Sequence, residues 1–405
     1  MTSHDRSQEK TDRAGSLVLR RRFAGTFPRM LRDSLSDTLS DSLRVTILWG
    51  GVSGYMAACW RALAARGDVR LEVVSPAPVS AAPFDAKLLE GQSVCLLSPD
   101  QQQNYEFVRE AVLKGDPQVV VLPGWIKTLH GPRLAADKKL AGRRLVMFLD
   151  TPFNNGLRQF AGRFVHRSYF RRISIVIGAS DRSRTLAMAL GFDEKRIRTG
   201  CYGFDLDAFA RAADVRRQTN KHEATWPRKF LFVGRYFSPD KGLDLLVEAY
   251  KVYRSSATNP WELICCGTGP DAGLLKGVAG ITDLGFVQPG DQPQVMSECG
   301  AFFLPSRYEP WGVALAEAAG AGLPLVCSSR CAAGVDLVRS YFNGLMIGPE
   351  DVGQLARAMH WIDSKSASEL HQMGVYSQQF ARAFSADVWA ARTSAYLHEA
   401  LDLPA

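Results

Sequence analysis

No stretch of this 405-residue chain stays apolar for the about 20 residues that a bilayer-spanning helix needs, so a membrane-integral protein is not expected. The basic start lacks a following apolar core of the signal-peptide kind, which points to a cytoplasmic chain. The eight cysteines form no CxxC pair, and Cys265 and Cys266 sit side by side on an apolar run, as reduced, buried thiols do. Cys327 and Cys331 lie four apart with no His or second Cys pair at zinc-ligand spacing, so no metal site is expected. No GxxxxGK[ST] phosphate loop occurs, and the glycine turn Trp49-Gly50-Gly51-Val52-Ser53-Gly54 lacks the spacing of the dinucleotide fingerprint. Acidic residues are in deficit, 41 against 49 basic ones, and the resulting charge of +8 favours polyanionic partners: nucleic acid, an anionic membrane surface, or a phosphorylated small molecule. Nucleic acid is not expected, because the basic residues are not interleaved with aromatics in a recognisable module. Peripheral contact with an anionic inner-membrane face is suggested by Arg20, Arg21 and Arg22 beside Phe23 and Phe27, and by Arg167, Arg171 and Arg172.

What is present is length for two cores, and two series of alternating strands and helices. Residues 1–43 read as a polar, basic extension, in which leucines and aspartates each recur every four residues as in a short amphipathic helix. Short β-branched runs at 45–48, 69–74, 93–97, 119–122, 145–149 and 173–177, separated by helical stretches, predict a parallel sheet over 44–209. Residues 210–228 lose apolar periodicity and read as a linker. A second series over 229–376 predicts another sheet, and 377–405 a terminal helix with Phe380, Phe384, Trp389 and Tyr396 as anchors. Two such halves place a ligand cleft between the carboxyl ends of their strands.

The densest signal is LPSRYEPWGVALAEAAGAGLP. Glu309 precedes a helix whose first-turn amides, at Trp311, Gly312 and Val313, have no acceptor within it; a carboxylate beside free amides suits sugar hydroxyls and phosphate oxygens together. Glu317 lies two turns on, where an ordinary surface Glu is the alternative. Gly234-Arg235 follows a strand and Asp240-Lys241-Gly242 precedes a helix, bringing two cations to one strand end; they suit a diphosphate and can stabilise its departure without a metal. Glycine turns at Gly267 and Gly269, and the Gly285-Phe286-Val287 turn, also close strands.

GRYFSPDKG, CCGTGP, LGFV and EPWGVALAEAAGAGLP stand in the order and spacing of glycosyltransferase family 4, of the GT-B fold, and residues 228–362 resemble it specifically. The N-terminal half resembles it more loosely, through Gly50-Gly51 and LGFDEKRIRTGCYGFDLDAF. The resemblance implies two Rossmann-like α/β domains facing across a cleft, and a retaining, metal-independent hexosyltransferase whose co-substrate is a nucleotide-diphosphate sugar. It implies that Arg235 and Lys241 bind the diphosphate, that Glu309 and the amides of residues 311–313 hold the sugar, that Glu317 takes the ribose hydroxyls, that Phe286 and Val287 lie at the base and Gly51 near the phosphates. The terminal helix would cross back to the first domain. Where the family often has a His after the strand at 145–149, this chain has Asp150 before Thr151-Pro152, which either binds a sugar hydroxyl or caps a turn; His130 is a distant substitute. A nucleotide-sugar isomerase and a non-catalytic nucleotide-sugar-binding protein remain alternatives, and the acceptor is not legible.

Overall fold

A computed structural model describes residues 42–79, 82–125, 128–219 and 225–403. The amphipathic pattern and arginine cluster of the N-terminal extension lie outside the described residues. The first sheet comprises β1 (Leu43–Leu48), β2 (Val69–Pro76), β3 (Val94–Leu97), β4 (Val119–Pro123), β5 (Arg144–Leu149), β6 (Ile173–Gly178) and β7 (Ile197–Thr199), in the order β3-β2-β1-β4-β5-β6-β7. The second comprises β8 (Lys229–Val233), β9 (Glu262–Cys266), β10 (Ile281–Asp283), β11 (Ala301–Leu304), β12 (Leu325–Ser328) and β13 (Gly344–Ile347), in the order β10-β9-β8-β11-β12-β13. Every pairing between these strands is parallel.

Burial on both faces explains the composition of the strands. All residues of β4, β6, β11 and β12 are buried, so these strands read as continuous apolar runs without alternation. In each sheet the order reverses beside its first strand, between β1 and β4 and between β8 and β11, and loops diverge there to leave a crevice. The strands β7 and β13, at the edges of their sheets and only partly buried, have no counterpart in the sequence reading. At the start of β13 a Cβ on Gly344 would lie 1.8 Å from the Leu325 carbonyl oxygen, so only glycine lets this strand approach β12.

The segment read as a linker, 210–228, carries the helix Leu206–Thr219 through its first half. Phe209, Ala212 and Ala213 are buried along it. Arg216, only 3% exposed, donates to the carbonyls of Met296, Cys299, Ala321 and Gly322. A cation satisfied by carbonyls of the second domain sits on the buried face, which is why apolar periodicity failed there. The terminal segment is two helices, Ala367–Ala381 and Ala386–Asp402. The second returns to the first sheet: Trp389, fully buried, donates to the Cys201 carbonyl at 2.9 Å and lies 6.2 Å from Phe148, and Ser394 donates to Asp68 at 2.7 Å. Among the described residues no helix is long and apolar enough to cross a membrane.

Candidate active site

The floor of the site is built at the end of β8. The Gly234 amide donates to the Cys266 carbonyl at 3.0 Å, and a Cβ on Gly267 would come within 1.9 Å of the Gly234 oxygen. Gly267 and Gly269 therefore support the Gly234 turn from behind, against Gly234 and Tyr236, and let the chain turn sharply toward Arg235. A short helical turn, Ser238–Lys241, ends at Gly242 in the left-handed conformation, and Leu243–Ser256 follows. This arrangement carries Lys241 to Glu309, with which it forms an ion pair; their side chains are 17% and 9% exposed. Ser306 donates a further hydrogen bond to the same carboxylate at 3.2 Å. Arg235, 68% exposed, reaches into the cleft and pairs with Asp240 at 2.8 Å.

Beyond Glu309, Gly312 adopts a φ of +112°, and a Cβ there would lie 2.6 Å from the Cys331 sulfur. That turn starts the helix Val313–Gly320 with its first amides facing the cleft. The Trp311 ring is buried between Tyr202 and Phe384, at 5.6 and 5.2 Å, so it forms a wall and leaves ligand contact to the backbone. Glu317 borders the cleft from the same helix, and removal from water raises its carboxyl to about 8.

The facing domain contributes Ser53, Gly54 and Tyr55 from the turn after β1, Asp150 from the end of β5, and Tyr202. Tyr202 stands among Trp49, Tyr55 and Trp311, and its hydroxyl donates to Asp150 at 2.9 Å. Burial raises the Tyr202 phenol well above its ordinary value, so it remains a donor. No helix begins at Asp150, the next starting at Leu157, and Asp150 borders the cleft.

These residues enclose a cavity of about 460 Å³. Gly234, Arg235, Lys241, Glu309, Trp311, Gly312, Val313, Glu317 and Asp150 all border it. A second cavity of about 380 Å³ adjoins on the first-domain side, sharing Ser53, Tyr55, Asp150 and Tyr202, and it takes in Gly51. Gly267, Gly269, Phe286 and Val287 line neither. Phe286 instead meets Phe84 edge-on at 5.4 Å across the domain boundary, and Val287 packs on the core. His130 is engaged elsewhere, with the Gln102 carbonyl at 3.0 Å. Tyr55 and Tyr202 were not singled out from sequence; the run CYGFD ahead of the Leu206–Thr219 helix was the available signal. Among the described residues no three His, Cys, Asp or Glu side chains gather as a metal ion would require.

Two parallel-sheet domains with a cleft at their carboxyl ends, cations and free amides on one wall, define the GT-B architecture and support an enzyme, a glycosyltransferase of the GT-B type. Residues 227–363 match the family described as glycosyl transferases group 1. The chain is similar to phosphatidyl-myo-inositol mannosyltransferase of Mycobacterium tuberculosis, 26% identical over 297 residues that cover 69% of this chain and 74% of that one. It is also similar to O-antigen chain mannosyltransferase B of Escherichia coli, 27% identical over 38% of this chain and 43% of the other. Among solved structures, Anabaena HepE in complex with UDP and glucose superposes with a TM-score of 0.68 at 19% identity, over 88% of this chain and all of that one.

Proposed function

We propose that this chain transfers a hexose, with retention of configuration and without a divalent metal, from a nucleotide-diphosphate sugar bound mainly in the second domain. The observation that carries the reading is the single cavity on which Arg235, Lys241, Glu309, Glu317 and the first-turn amides at Val313 converge. Arg235 and Lys241 supply the positive charge that a departing diphosphate requires. Glu309, already ion-paired and hydrogen-bonded, is oriented to accept from sugar hydroxyls. Glu317 faces the ribose hydroxyls. The solved neighbours from Anabaena hold UDP, UDP-glucose, or UDP with glucose, which supports a nucleotide donor of this kind.

The acceptor enters from the second cavity, past Gly51 and Asp150. Its hydroxyl oxygen bonds to the anomeric carbon on the face from which the diphosphate leaves. The bond from that carbon to the phosphate oxygen breaks, and the acceptor proton passes to the departing diphosphate. Asp150, held by Tyr202, accepts a hydrogen bond from a sugar hydroxyl at the junction of the cavities.

The test is transfer by an Arg235→Ala, Lys241→Ala double variant. Removing groups that stabilise developing charge typically costs about 10²–10³-fold in kcat each, so transfer should fall below detection while circular dichroism still reports the fold. Wild-type rates in that protein would sink the assignment. Product formed from donor alone would favour an isomerase, and tight donor binding without any turnover a binding protein.

A further inference from the structure

The helix Leu157–Val165 is inside out. It buries the polar Gln159 and the small Gly162, and turns Leu157, Phe160, Phe164 and Val165 to solvent, at 88%, 47%, 75% and 72% exposure. The inward face is set by fit. Gln159 bonds to the Asn154 amide and the Pro152 carbonyl at 2.9 Å each, and a Cβ on Gly162 would lie 2.4 Å from the Trp125 ring. At this contact a side chain larger than glycine would meet the Trp125 ring. At 100° per residue the four apolar side chains share one arc, opposite Gln159 and Gly162, with Arg158 and Arg163 on its two flanks. Leaving so much contiguous apolar surface in water is unfavourable by about 25 cal/mol per Å².

Charge surrounds this face. Arg163, Arg167 and Arg171 border a groove of about 340 Å³ with Arg196 on its far side. Among the described residues, none of Arg158, Arg163, Arg167 and Arg171 makes an ion pair. The carboxylates of the adjoining loop are engaged: Asp193 accepts from the Lys195 amide at 2.8 Å, and Glu194 pairs with Arg184. An apolar arc bounded by uncompensated guanidinium groups matches a bilayer interface, with acyl chains for the arc and anionic headgroups for its border.

We propose that the surface formed by Leu157–Val165 and the arginines at 163, 167 and 171 is a docking site for an anionic lipid bilayer. The segment 150–156 joins it directly to Asp150 and Thr151 of the first-domain cavity. Docking there brings that cavity close to the membrane surface. The proposal stands on this face alone and is independent of the transfer reading.

The full chain is sedimented with vesicles of phosphatidylcholine, with and without a minority of phosphatidylglycerol. Wild type should pellet only with the anionic vesicles, and should be released between about 0.1 and about 1 M salt, as the Debye length falls from about 10 to about 3 Å. Leu157→Ser with Phe164→Ser should abolish pelleting. Arg163→Gln with Arg167→Gln should weaken it about 25-fold, at about fivefold per basic residue. All four positions are exposed, so melting temperatures should match wild type. The proposal is overturned if wild type stays in the supernatant, or if both variants pellet as wild type does, which would place the contact elsewhere, as at Arg20–Arg22. It is equally overturned if wild type self-associates without lipid through this face and the variants do not.

Discussion

Glu317 sits on the apolar, Ala-rich helix Val313–Gly320, where its ordinary carboxyl range is displaced to about 8 by desolvation alone. The folded state therefore binds its proton more tightly than the unfolded chain. Its contribution is fully present below the unfolded value of 4.5 and is lost as pH rises through about 8. Glu317→Gln, neutral throughout, should flatten that slope, so the variant gains stability relative to wild type between about pH 5 and pH 8. Urea denaturation of both ligand-free proteins across this range reads the difference, and parallel curves would refute it. A donor whose ribose hydroxyls bind the carboxylate should release a proton, and so bind wild type more tightly as pH rises.

Glu309 shows how far the residue scale was legible. Its motif announced a carboxylate before a helix, yet its ion pair with Lys241 joins residues 68 apart in the chain. Spacing along a sequence cannot report that contact. Nor could it show that Gly267 and Gly269, which look like ligand-binding glycines, serve the backbone of Gly234 and Tyr236 instead.

At the scale of elements, strands buried on both faces announced themselves, because burial on both sides demands continuous apolar residues. The helix Leu206–Thr219 did not, since its buried face carries Arg216, and neither did β7 and β13, whose Ile197–Thr199 and Gly344–Ile347 are only partly buried and carry Arg198, Thr199 and Gly344. Of the aromatic anchors read for one terminal helix, Phe380 lies on the helix Ala367–Ala381 and Phe384 in the turn after it, while Trp389 and Tyr396 lie on Ala386–Asp402; Trp389 is the one whose removal should matter most. Trp389→Ala deletes a fully buried indole and its bond to the Cys201 carbonyl, a change that typically costs about 3–5 kcal/mol. A lowered denaturation midpoint, with proteolysis of residues 386–402 ahead of the rest, is the expected outcome. An unchanged midpoint would show that the helix contributes little to holding the first domain.

For the whole molecule, the domains share one apolar cluster and also meet at the sides of the cleft through polar contacts. Arg182 donates to the carbonyls of Ser329 and Arg330 at 2.5 and 3.2 Å. Gln288 donates to the Pro83 carbonyl at 2.8 Å and accepts from the Asp85 amide at 3.2 Å. Polar contacts at the rim of a cleft are those that opening and closing break and remake. Arg182→Ala with Gln288→Ala should enlarge the radius of gyration of the ligand-free protein by small-angle scattering and weaken donor binding about tenfold, the effect of about 1.4 kcal/mol lost from the closed state. Identical scattering and affinity would mean that the aromatic contacts, Phe84 with Phe286 and Tyr202 with Trp311, suffice.

The sequence by itself determined the two-domain α/β plan and the residue types that line one wall of the cleft. Both are local: apolar runs encode buried strands, and glycine, carboxylate and cation gather where strands end and a helix starts. Only the tertiary structure decided the partners of that wall. Tyr202 against Asp150, Lys241 against Glu309, Arg216 among the carbonyls of the second domain, and the outward-facing apolar side of Leu157–Val165 all depend on which surfaces meet. Neighbouring residues do not carry that information, because long-range packing sets which face of a helix is buried and which polar group finds a partner.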